Sequence, residues 1–338
     1  MKVLVNGIGN IGSTLLALLV KYQHDFGIST IYANKNNIQA WHEPELNYLR
    51  SLGVYISSSQ LNNADVVLQE ILPDIQFIFD CGANGSGLKN KNMYQQLPNL
   101  MGVVAQGSEK GFGISFMSGV GNDLLLNEKF IHVVSCNTHG TAALLKTCCG
   151  DELTNLKQGD FVVVRRSEDI GNHERLVSAN VVARHLNSTI GTHHAIDVVD
   201  LFSQQNIPCT ITSSDITTPS QLMHAVRFHI EFKKPVTPDF LAKRIHENPY
   251  LATTKKFDSN VIFEQGRRYG FNGRVFSHAI VVYDNMLMTE NSVKGWAFVP
   301  QEGNTILSSL HAMLIKLLPE KSDAILQKLQ HELLKKTW

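Results

Sequence analysis

The feature that most constrains this chain is a Gly-x-Gly-x-x-Gly segment at residues 7–12. It directly follows a short apolar run and precedes a stretch of helical composition. In that strand-to-helix context, Gly7 permits a tight turn, Gly9 lets the backbone approach a pyrophosphate, and Gly12 lets the helix pack closely on the strand. The phosphates would then lie at the helix N-terminus. The segment therefore predicts a dinucleotide-binding turn on a Rossmann-type sheet.

The end of the second predicted strand bears on which dinucleotide binds. Residues 28–33 are of β type and run into Asn34 and Lys35. Sites that prefer NAD usually end this strand with a carboxylate, which holds the ribose 2′-hydroxyl. Here no carboxylate repels a 2′-phosphate, and Lys35 can attract it, so NADP is allowed as well as NAD. The alternative is that Lys35 is an ordinary solvated loop lysine.

Strand-like and helical segments alternate as far as residue 134. The β-type runs at residues 77–81 and 102–105 each lead into a polar, glycine-containing loop, the second of which includes Gly107. Ligands in open α/β sheets bind beyond the carboxyl ends of the strands, so we expect both loops to border the cofactor. This alternation predicts a doubly wound α/β domain.

A second junction of the same kind carries Cys136. An apolar run at residues 130–134 leads into Ser135 and Cys136, and residues 141–149 have a helical pattern. A cysteine at a strand-to-helix junction faces unpaired backbone N–H groups and the positive end of the helix dipole. Both favour the thiolate, which is the nucleophilic form. The alternative is a small buried apolar residue, the common fate of a free cysteine.

Beyond Cys136 the β-type segments become longer and antiparallel in character. The apolar run at residues 161–164 ends in Arg165 and Arg166, whose side chains should point to opposite faces of the sheet. One arginine can then serve a phosphate, and the other a cofactor or an interface. The alternative is surface ion pairing with Glu168 and Asp169.

Three histidines complete the set of candidate functional residues. His193 and His194 are predicted to lie in a glycine-flanked loop, and no third ligand stands at metal-site spacing, which favours phosphate, substrate or plain surface roles over a metal. His224 opens an alternating strand at residues 224–232, in phase with its apolar side chains. Such a histidine is either a satisfied core residue or, beside a thiol, a general base.

Composition narrows the function classes. Lys+Arg and Asp+Glu balance at 30 each, so no bulk charge attracts nucleic acid or an anionic membrane. The five cysteines do not form a disulfide framework, and the start of the chain does not have the layout of a signal peptide, which together indicate a cytoplasmic protein.

The remaining patterns set the expected domains. A helix is predicted from Pro238 to about residue 247, β-type sequence at residues 261–264 and 275–283, and amphipathic helices at residues 304–318 and 322–336. We therefore expect three parts. They are a dinucleotide-binding domain at residues 1–135, a catalytic domain at residues 136–302, and C-terminal helices at residues 303–338 that pack back on the first domain.

Taken together, these motifs resemble those of the type II (archaeal-type) phosphorylating glyceraldehyde-3-phosphate dehydrogenases. The matching segments, spread over nearly the whole chain, are residues 5–12, 106–110, 134–138, 164–166, 192–194, 222–224 and 299–313. The resemblance implies an α/β chain with an N-terminal Rossmann-type doubly wound sheet, followed by an α+β catalytic domain with a mainly antiparallel sheet.

The resemblance also implies roles for individual residues. Cys136 would be the nucleophile that forms a thiohemiacetal and then a thioester, and His224 would be the general base. The residues expected around the substrate and its phosphates are Ser135, Asn137, Arg166, His193 and His194. The dinucleotide contacts expected from the glycine motif, the second strand and the resemblance are Gly7, Gly9, Asn10, Ile11, Gly12, Asn34, Lys35, Gly107, Arg165 and Lys294.

The chain departs from the family pattern at several motif neighbours. His139 stands where the family usually has threonine, Ala195 and Ile196 stand where it has Gly-Pro, and Lys294 stands where a cofactor-side glutamine would align. The alternatives are a related semialdehyde or acyl-phosphate reductase and a non-catalytic nucleotide-binding homologue. The leading hypothesis expects NADP or NAD as cofactor, a phosphorylated aldehyde and inorganic phosphate as partners, and a homotetramer.

Overall fold

A computed structural model describes residues 1–107, 109–168, 177–220 and 222–338. Ser108, within the predicted 106–110 motif, and Asp169, a predicted ion-pair partner, lie outside these residues. The chain divides into two compact units. The first comprises Met1–Val134 and Ile306–Lys328, and the second comprises Ser135–Thr305 and Leu329–Trp338.

The strands of the described residues are numbered in chain order. They are β1 (Lys2–Asn6), β2 (Thr30–Asn34), β3 (Val54–Ser58), β4 (Val66–Val67), β5 (Phe77–Asp80), β6 (Gly102–Gln106), β7 (Ile114–Phe116), β8 (Phe130–Val133), β9 (Leu156–Arg166), β10 (Val181–Val182), β11 (Ile211–Thr218), β12 (His224–Phe232), β13 (Leu251–Thr254), β14 (Ala279–Val282), β15 (Leu287–Thr289) and β16 (Ser292–Val299).

The α-helices of the described residues are numbered in the same way. They are α1 (Asn10–Lys21), α2 (Glu43–Ser51), α3 (Leu68–Ile71), α4 (Ser86–Gln95), α5 (Cys136–Cys149), α6 (His193–Ser203), α7 (Pro238–Glu247), α8 (Ser259–Tyr269), α9 (Ile306–Leu317) and α10 (Ser322–Leu333). Among these described helices, none combines the length and the hydropathy needed to span a bilayer.

The first unit is built on a parallel sheet, eight-stranded over the described residues, with the order β4-β3-β2-β1-β5-β6-β8-β7. Its central strands are apolar along their length, as in β1 and β5, because both faces of a parallel sheet are covered by helices. The order reverses at β1, which lies between β2 and β5. This confirms the predicted Rossmann-type sheet, and its switch point lies at the carboxyl ends of β1 and β5.

The second unit contains a mixed sheet with the order β10-β11-β9-β12-β16-β14-β13 and β15 paired to β16. Within the described part of the chain, β11 and β9 pair in parallel, as do β13 and β14, and the other pairs are antiparallel. The predicted second domain with a mainly antiparallel sheet is therefore confirmed. Its core lies between this sheet and α5, which is buried along most of its length.

Two local predictions are wrong. Residues 261–264 were expected to be strand-like but lie in α8, which begins after the Asp258 cap and is supported by Glu264 ion pairs to Arg267 and Arg268. A four-residue apolar run cannot separate strand from helix by its pattern alone. The predicted glycine-flanked loop around His193 is instead the start of α6, capped at Thr192.

Candidate functional site

The three glycines of the turn in the first unit have different roles. The fold requires glycine at positions 7 and 12, but not at position 9. Gly7 has φ +105°, and a Cβ there would lie 2.7 Å from the Cys81 carbonyl oxygen. A Cβ on Gly12 would lie 1.9 Å from the Gly7 carbonyl oxygen. Gly9, with φ −107°, needs no glycine conformation, and a Cβ there would meet no atom within 4 Å. Open space above Gly9 is what a dinucleotide pyrophosphate would occupy.

The helix that follows this turn begins at Asn10, with Ile11 and Gly12 in its first turn. Its N-cap is Gly9, which offers no side chain to bond the first N–H groups. Backbone N–H groups of a first helical turn are donors for phosphate oxygens. The residues present at this turn therefore fit a dinucleotide pyrophosphate.

Three further residues of the first unit were predicted to contact the cofactor. Asn34 is buried, and its Nδ2 donates to Oδ1 of Asn6 at 2.8 Å, so its side chain supports β1. Lys35 follows it, half-buried, at the end of β2. Gly107 has φ +75°, and no atom lies within 4 Å of where its Cβ would be. Lys35 and Gly107 keep positions compatible with a ligand, whereas Asn34 has a structural role.

In the second unit, Cys136 is the first residue of α5 and is half-buried. Ser135 is the N-cap, and its hydroxyl accepts a hydrogen bond from the Thr138 N–H. The Cys136 carbonyl accepts a hydrogen bond from Nδ2 of Asn304 at 2.9 Å. Asn137 is buried, and its Oδ1 has no hydrogen-bond partner among the described residues. The cysteine therefore lies at a fixed helix N-terminus beside a buried amide.

The start of α5 packs against the end of the sheet where β12 begins with His224 and β16 finishes with Val299. His224 pairs in register with Val299, at the end of β16. A Cβ on Gly140, one turn beyond Cys136, would lie 3.1 Å from Cγ2 of Val299. The two predicted catalytic residues are thus carried by neighbouring elements of one compact unit.

The hydrogen bonding of His224 determines what its ring can do. The backbone N–H of Arg166 donates to Nδ1 of His224 at 3.0 Å. Because a backbone N–H can only donate, Nδ1 is an acceptor and the neutral ring carries its proton on Nε2. Burial, followed by the electrostatic effects of Arg166, His194 and Arg165, lowers the pKa of His224 well below its ordinary value. His224 is therefore a neutral imidazole that presents an N–H donor.

The two arginines lie on opposite faces of β9, as predicted. Val163 pairs with Val226, so Arg165 shares the face of His224. Arg166 points the other way and is 2% exposed, with Nη2 2.6 Å from Oε1 of Glu302.

The resemblance implies that Arg166 binds the substrate and that Arg165 binds the dinucleotide. The surroundings of the two side chains favour Arg165, rather than Arg166, as the residue that binds an anion. Glu302 also binds Nη1 of Arg274 at 3.1 Å, and Nη1 of Arg166 donates to the Leu222 carbonyl. The guanidinium of Arg166 is thus held in a buried ion-pair cluster. Arg165 is 39% exposed on the His224 face, so it is Arg165 that is placed to bind an anion there.

The histidine pair is fixed by contacts between α6 and β11. The Thr192 N–H donates to the Ser213 carbonyl at 3.0 Å, and the Ala195 N–H donates to the Ser213 hydroxyl at 3.0 Å. The rings of His193 and His194 follow with centroids 3.9 Å apart. Burial, followed by His194 and Arg165, lowers the pKa of His193 to about 4, so this ring is neutral at pH 7.

A carboxylate that the sequence interpretation missed lies beside these histidines. Asp215 has a fully buried side chain, with Oδ2 3.3 Å from Nε2 of His194 and Oδ1 4.0 Å from Nη1 of Arg165. Burial raises the pKa of Asp215, but the nearby His194 and Arg165 outweigh this effect and lower it. The spacing in sequence gave no sign of this residue, because it is the contact between α6 and β11 that brings it to the histidines.

Lys294 does not join this group. It is exposed in the middle of β16, in register with His229. It lies five residues before Val299, about 17 Å along a strand, and an odd separation places it on the opposite face. The structure therefore separates Lys294 from the other predicted residues of the second unit.

No family model matches the chain. The glyceraldehyde-3-phosphate dehydrogenase of Pyrococcus furiosus is 29% identical over 251 residues, which cover 70% of this chain and 68% of the relative. The enzyme of the same name from Methanobacterium bryantii is 27% identical over 257 residues, covering 74% of this chain and 73% of the relative.

A third relative extends the similarity to almost the whole chain. The glyceraldehyde-3-phosphate dehydrogenase of Saccharolobus islandicus is 23% identical over 327 residues, covering 93% of this chain and 92% of the relative. These matches confirm the resemblance drawn from the motifs, and the chain fits the archaeal-type glyceraldehyde-3-phosphate dehydrogenase family.

Proposed function

We propose that this protein is a phosphorylating glyceraldehyde-3-phosphate dehydrogenase that oxidises glyceraldehyde 3-phosphate to 1,3-bisphosphoglycerate with NAD or NADP. The observation that carries the proposal is that Cys136 begins α5, a helix whose Gly140 lies against Val299, the β16 residue in register with His224 at the start of β12. The names of the archaeal relatives support the same reaction.

Cys136 supplies the nucleophile. An aldehyde does not release hydride readily until a nucleophile adds to its carbonyl carbon, and a thiolate both adds and leaves well. The N-terminus of α5 favours the anionic sulfur. Addition gives a thiohemiacetal alkoxide, and we assign the Cys136 N–H and the buried amide of Asn137 as its hydrogen-bond donors.

His224 assists as a hydrogen-bond donor in the form described above. Its Nε2–H can stabilise the alkoxide, which needs no base before it loses hydride. Acting as a base through Nε2 would require the proton to move to Nδ1, where it would oppose the Arg166 N–H. We therefore assign His224 a donor role rather than the general-base role expected from the resemblance.

The glycine turn of the first unit is the proposed dinucleotide site. Gly9 and the N-terminus of α1 fit the pyrophosphate, and Lys35 can bind a 2′-phosphate. A nicotinamide dinucleotide supplies the hydride acceptor when bound. The protein contributes the shape of the turn and its unshielded backbone donors.

Phosphate recognition is assigned to Arg165, His193 and His194. The half-exposed guanidinium lies on the face that His224 shares, and the α6 histidines reach it through Asp215, whose Oδ1 is 4.0 Å from Nη1 of Arg165 and whose Oδ2 is 3.3 Å from Nε2 of His194. Charged and neutral N–H donors of this kind bind phosphate oxygens. Inorganic phosphate held there would attack the thioester, releasing an acyl phosphate and restoring the Cys136 thiolate.

A steady-state assay tests the proposal. The purified protein is given glyceraldehyde 3-phosphate with NAD or NADP, with and without inorganic phosphate. We expect reduction of the dinucleotide that depends on phosphate and that is abolished when Cys136 is alkylated. The Cys209→Ser control should behave like the wild type, both in its activity and in its inhibition by alkylation. Reduction that does not depend on phosphate, or that survives alkylation of Cys136, would contradict the proposed function.

A further inference from the structure

Beyond the proposed dehydrogenase chemistry, we infer that His193, His194 and Asp215 also form a binding site for a zinc-class divalent metal ion when the two histidines do not hold phosphate. The three residues come from the first turn of α6 and from β11. One ligand atom from each lies within 4.8 Å of the other two. Two imidazoles and one carboxylate form a donor set typical of zinc sites that keep an open coordination position.

The distance between the two buried ligands fits an ion between them. Nε2 of His194 lies 3.3 Å from Oδ2 of Asp215. Two ligand atoms bound tetrahedrally to zinc at about 2.0–2.1 Å lie about 3.3–3.4 Å apart. His193 is half-buried beside His194, and one of its ring nitrogens lies within 4.8 Å of the ligand atoms of His194 and Asp215.

The buried polar atoms of this cluster lack hydrogen-bond partners. Both ring nitrogens of His194 and both carboxylate oxygens of Asp215 are buried without a well-aligned hydrogen bond among the described residues. Nε2 of His194 and Oδ2 of Asp215 lie 3.3 Å apart, but their geometry does not complete a hydrogen bond. Buried polar groups are normally satisfied, and a metal ion would satisfy Nε2 and Oδ2 together.

Neighbouring charge sets the expected ion and its affinity. Oδ1 of Asp215 faces Arg165 at 4.0 Å, which leaves Oδ2 for the ion and gives the carboxylate an outer partner. Imidazole ligands favour zinc, cobalt, nickel or copper over magnesium or calcium. The positive end of α6 opposes a cation, so we expect weaker binding than at a four-ligand structural site.

Direct metal binding tests the inference without any need for activity. The full-length Cys136→Ser protein, which lacks the reactive thiol, is freed of metal and titrated with Zn²⁺ by calorimetry and with Co²⁺ by visible absorption. We expect one site per chain with ligand-field bands of a four- or five-coordinate ion. Asp215→Asn and His194→Gln should each weaken binding more than about 100-fold, beyond the 10–100-fold effect of outer-shell partners.

Two controls keep the result interpretable. His331→Gln removes an exposed histidine of α10 and should leave the affinity unchanged. If a buried variant does not fold by circular dichroism, His193→Gln, at the half-exposed ligand, replaces it and should also weaken binding. Failure of Co²⁺ to bind, or equal affinity in the ligand variants and in His331→Gln, would overturn the inference. Because catalysis is not measured, neither result depends on the dehydrogenase proposal.

Discussion

Two helices of this protein begin directly after a parallel strand, and they use their N-termini differently. α1 follows β1 through Gly9, which has no side chain and has open space around it. α5 follows β8 through Ser135, whose hydroxyl accepts from the Thr138 N–H. The first junction has no side-chain cap for its backbone donors, and we propose that a dinucleotide pyrophosphate lies there. At the second junction, the Ser135 hydroxyl accepts a hydrogen bond from one of the N–H groups that have no partner within the helix, and Cys136 is the first helical residue. The capping residue thus distinguishes the two helix N-termini.

The largest expected effect is at the α5 junction. Cys136→Ser should lower turnover by at least about 10⁴-fold, because the alkoxide needed for attack is far harder to form than a thiolate. Dinucleotide binding, assigned to the α1 junction, should be unchanged in a fluorescence titration. Cys209→Ser, at a half-buried cysteine elsewhere, is the control and should keep wild-type turnover. A Cys136→Ser enzyme with most of its activity would remove the proposed difference between the junctions.

Two substitutions at His224 distinguish a hydrogen-bond donor from a general base at this position. His224→Asn keeps an acceptor for the Arg166 N–H but loses the Nε2 donor, and should slow turnover roughly 10²–10⁴-fold. His224→Gln can place an amide N–H near the lost Nε2–H and should retain at least about tenfold more activity than His224→Asn. Equal losses in kcat for the two variants would favour a general base instead.

At the α1 junction, Gly12→Ala should destabilise the fold. The added Cβ would lie 1.9 Å from the Gly7 carbonyl oxygen, so α1 must move away from the turn. We expect the free energy of unfolding in urea to fall by about 3 kcal/mol. Unfolding at wild-type denaturant concentration would show that the packing of this turn is not as close as described.

Gly9→Ala should give the opposite pattern at the same turn. Its Cβ meets no protein atom within 4 Å, so stability should stay within about 0.5 kcal/mol of wild type. A ligand phosphate would meet that Cβ, and dinucleotide affinity should fall about tenfold, which corresponds to about 1.4 kcal/mol. Unchanged affinity would mean that the space above Gly9 is not the pyrophosphate site.

The smallest expected effect is the loss of the α5 cap. Ser135→Ala removes the acceptor for the Thr138 N–H and should lower the free energy of unfolding by about 1 kcal/mol. Ser135→Asn, which can also cap, should recover most of that loss. If both variants lose the same stability, the Ser135 hydroxyl does not cap the helix.

The sequence predicted these two junctions because each is encoded by adjacent residues. A glycine motif after an apolar run, and a cysteine before a helical pattern, need no information from elsewhere in the chain. Alternation along β9 was also enough to predict that Arg165 and Arg166 point to opposite faces.

Features that depend on pairing between distant strands were not predictable in this way. The registers of β9 with β11 and with β12 place Asp215 and His224 beside Arg165, and no local pattern specifies either register. The same holds for Glu302, which binds Arg166 from a loop that follows β16. Sequence pattern therefore identified candidate residue types, but not that Arg165, rather than Arg166, shares the face of His224.

The proposal that Cys136 carries the acyl group can be tested directly by trapping the covalent intermediate. The protein is mixed with glyceraldehyde 3-phosphate and dinucleotide without inorganic phosphate, quenched in acid and mapped by peptide mass spectrometry. We expect one acyl group on the peptide that contains Cys136. The group should be absent from the Cys136→Ser protein, and it should be lost when phosphate is added before the quench. Reduction of the dinucleotide with no acyl group on Cys136, or with the group on another residue, would contradict it.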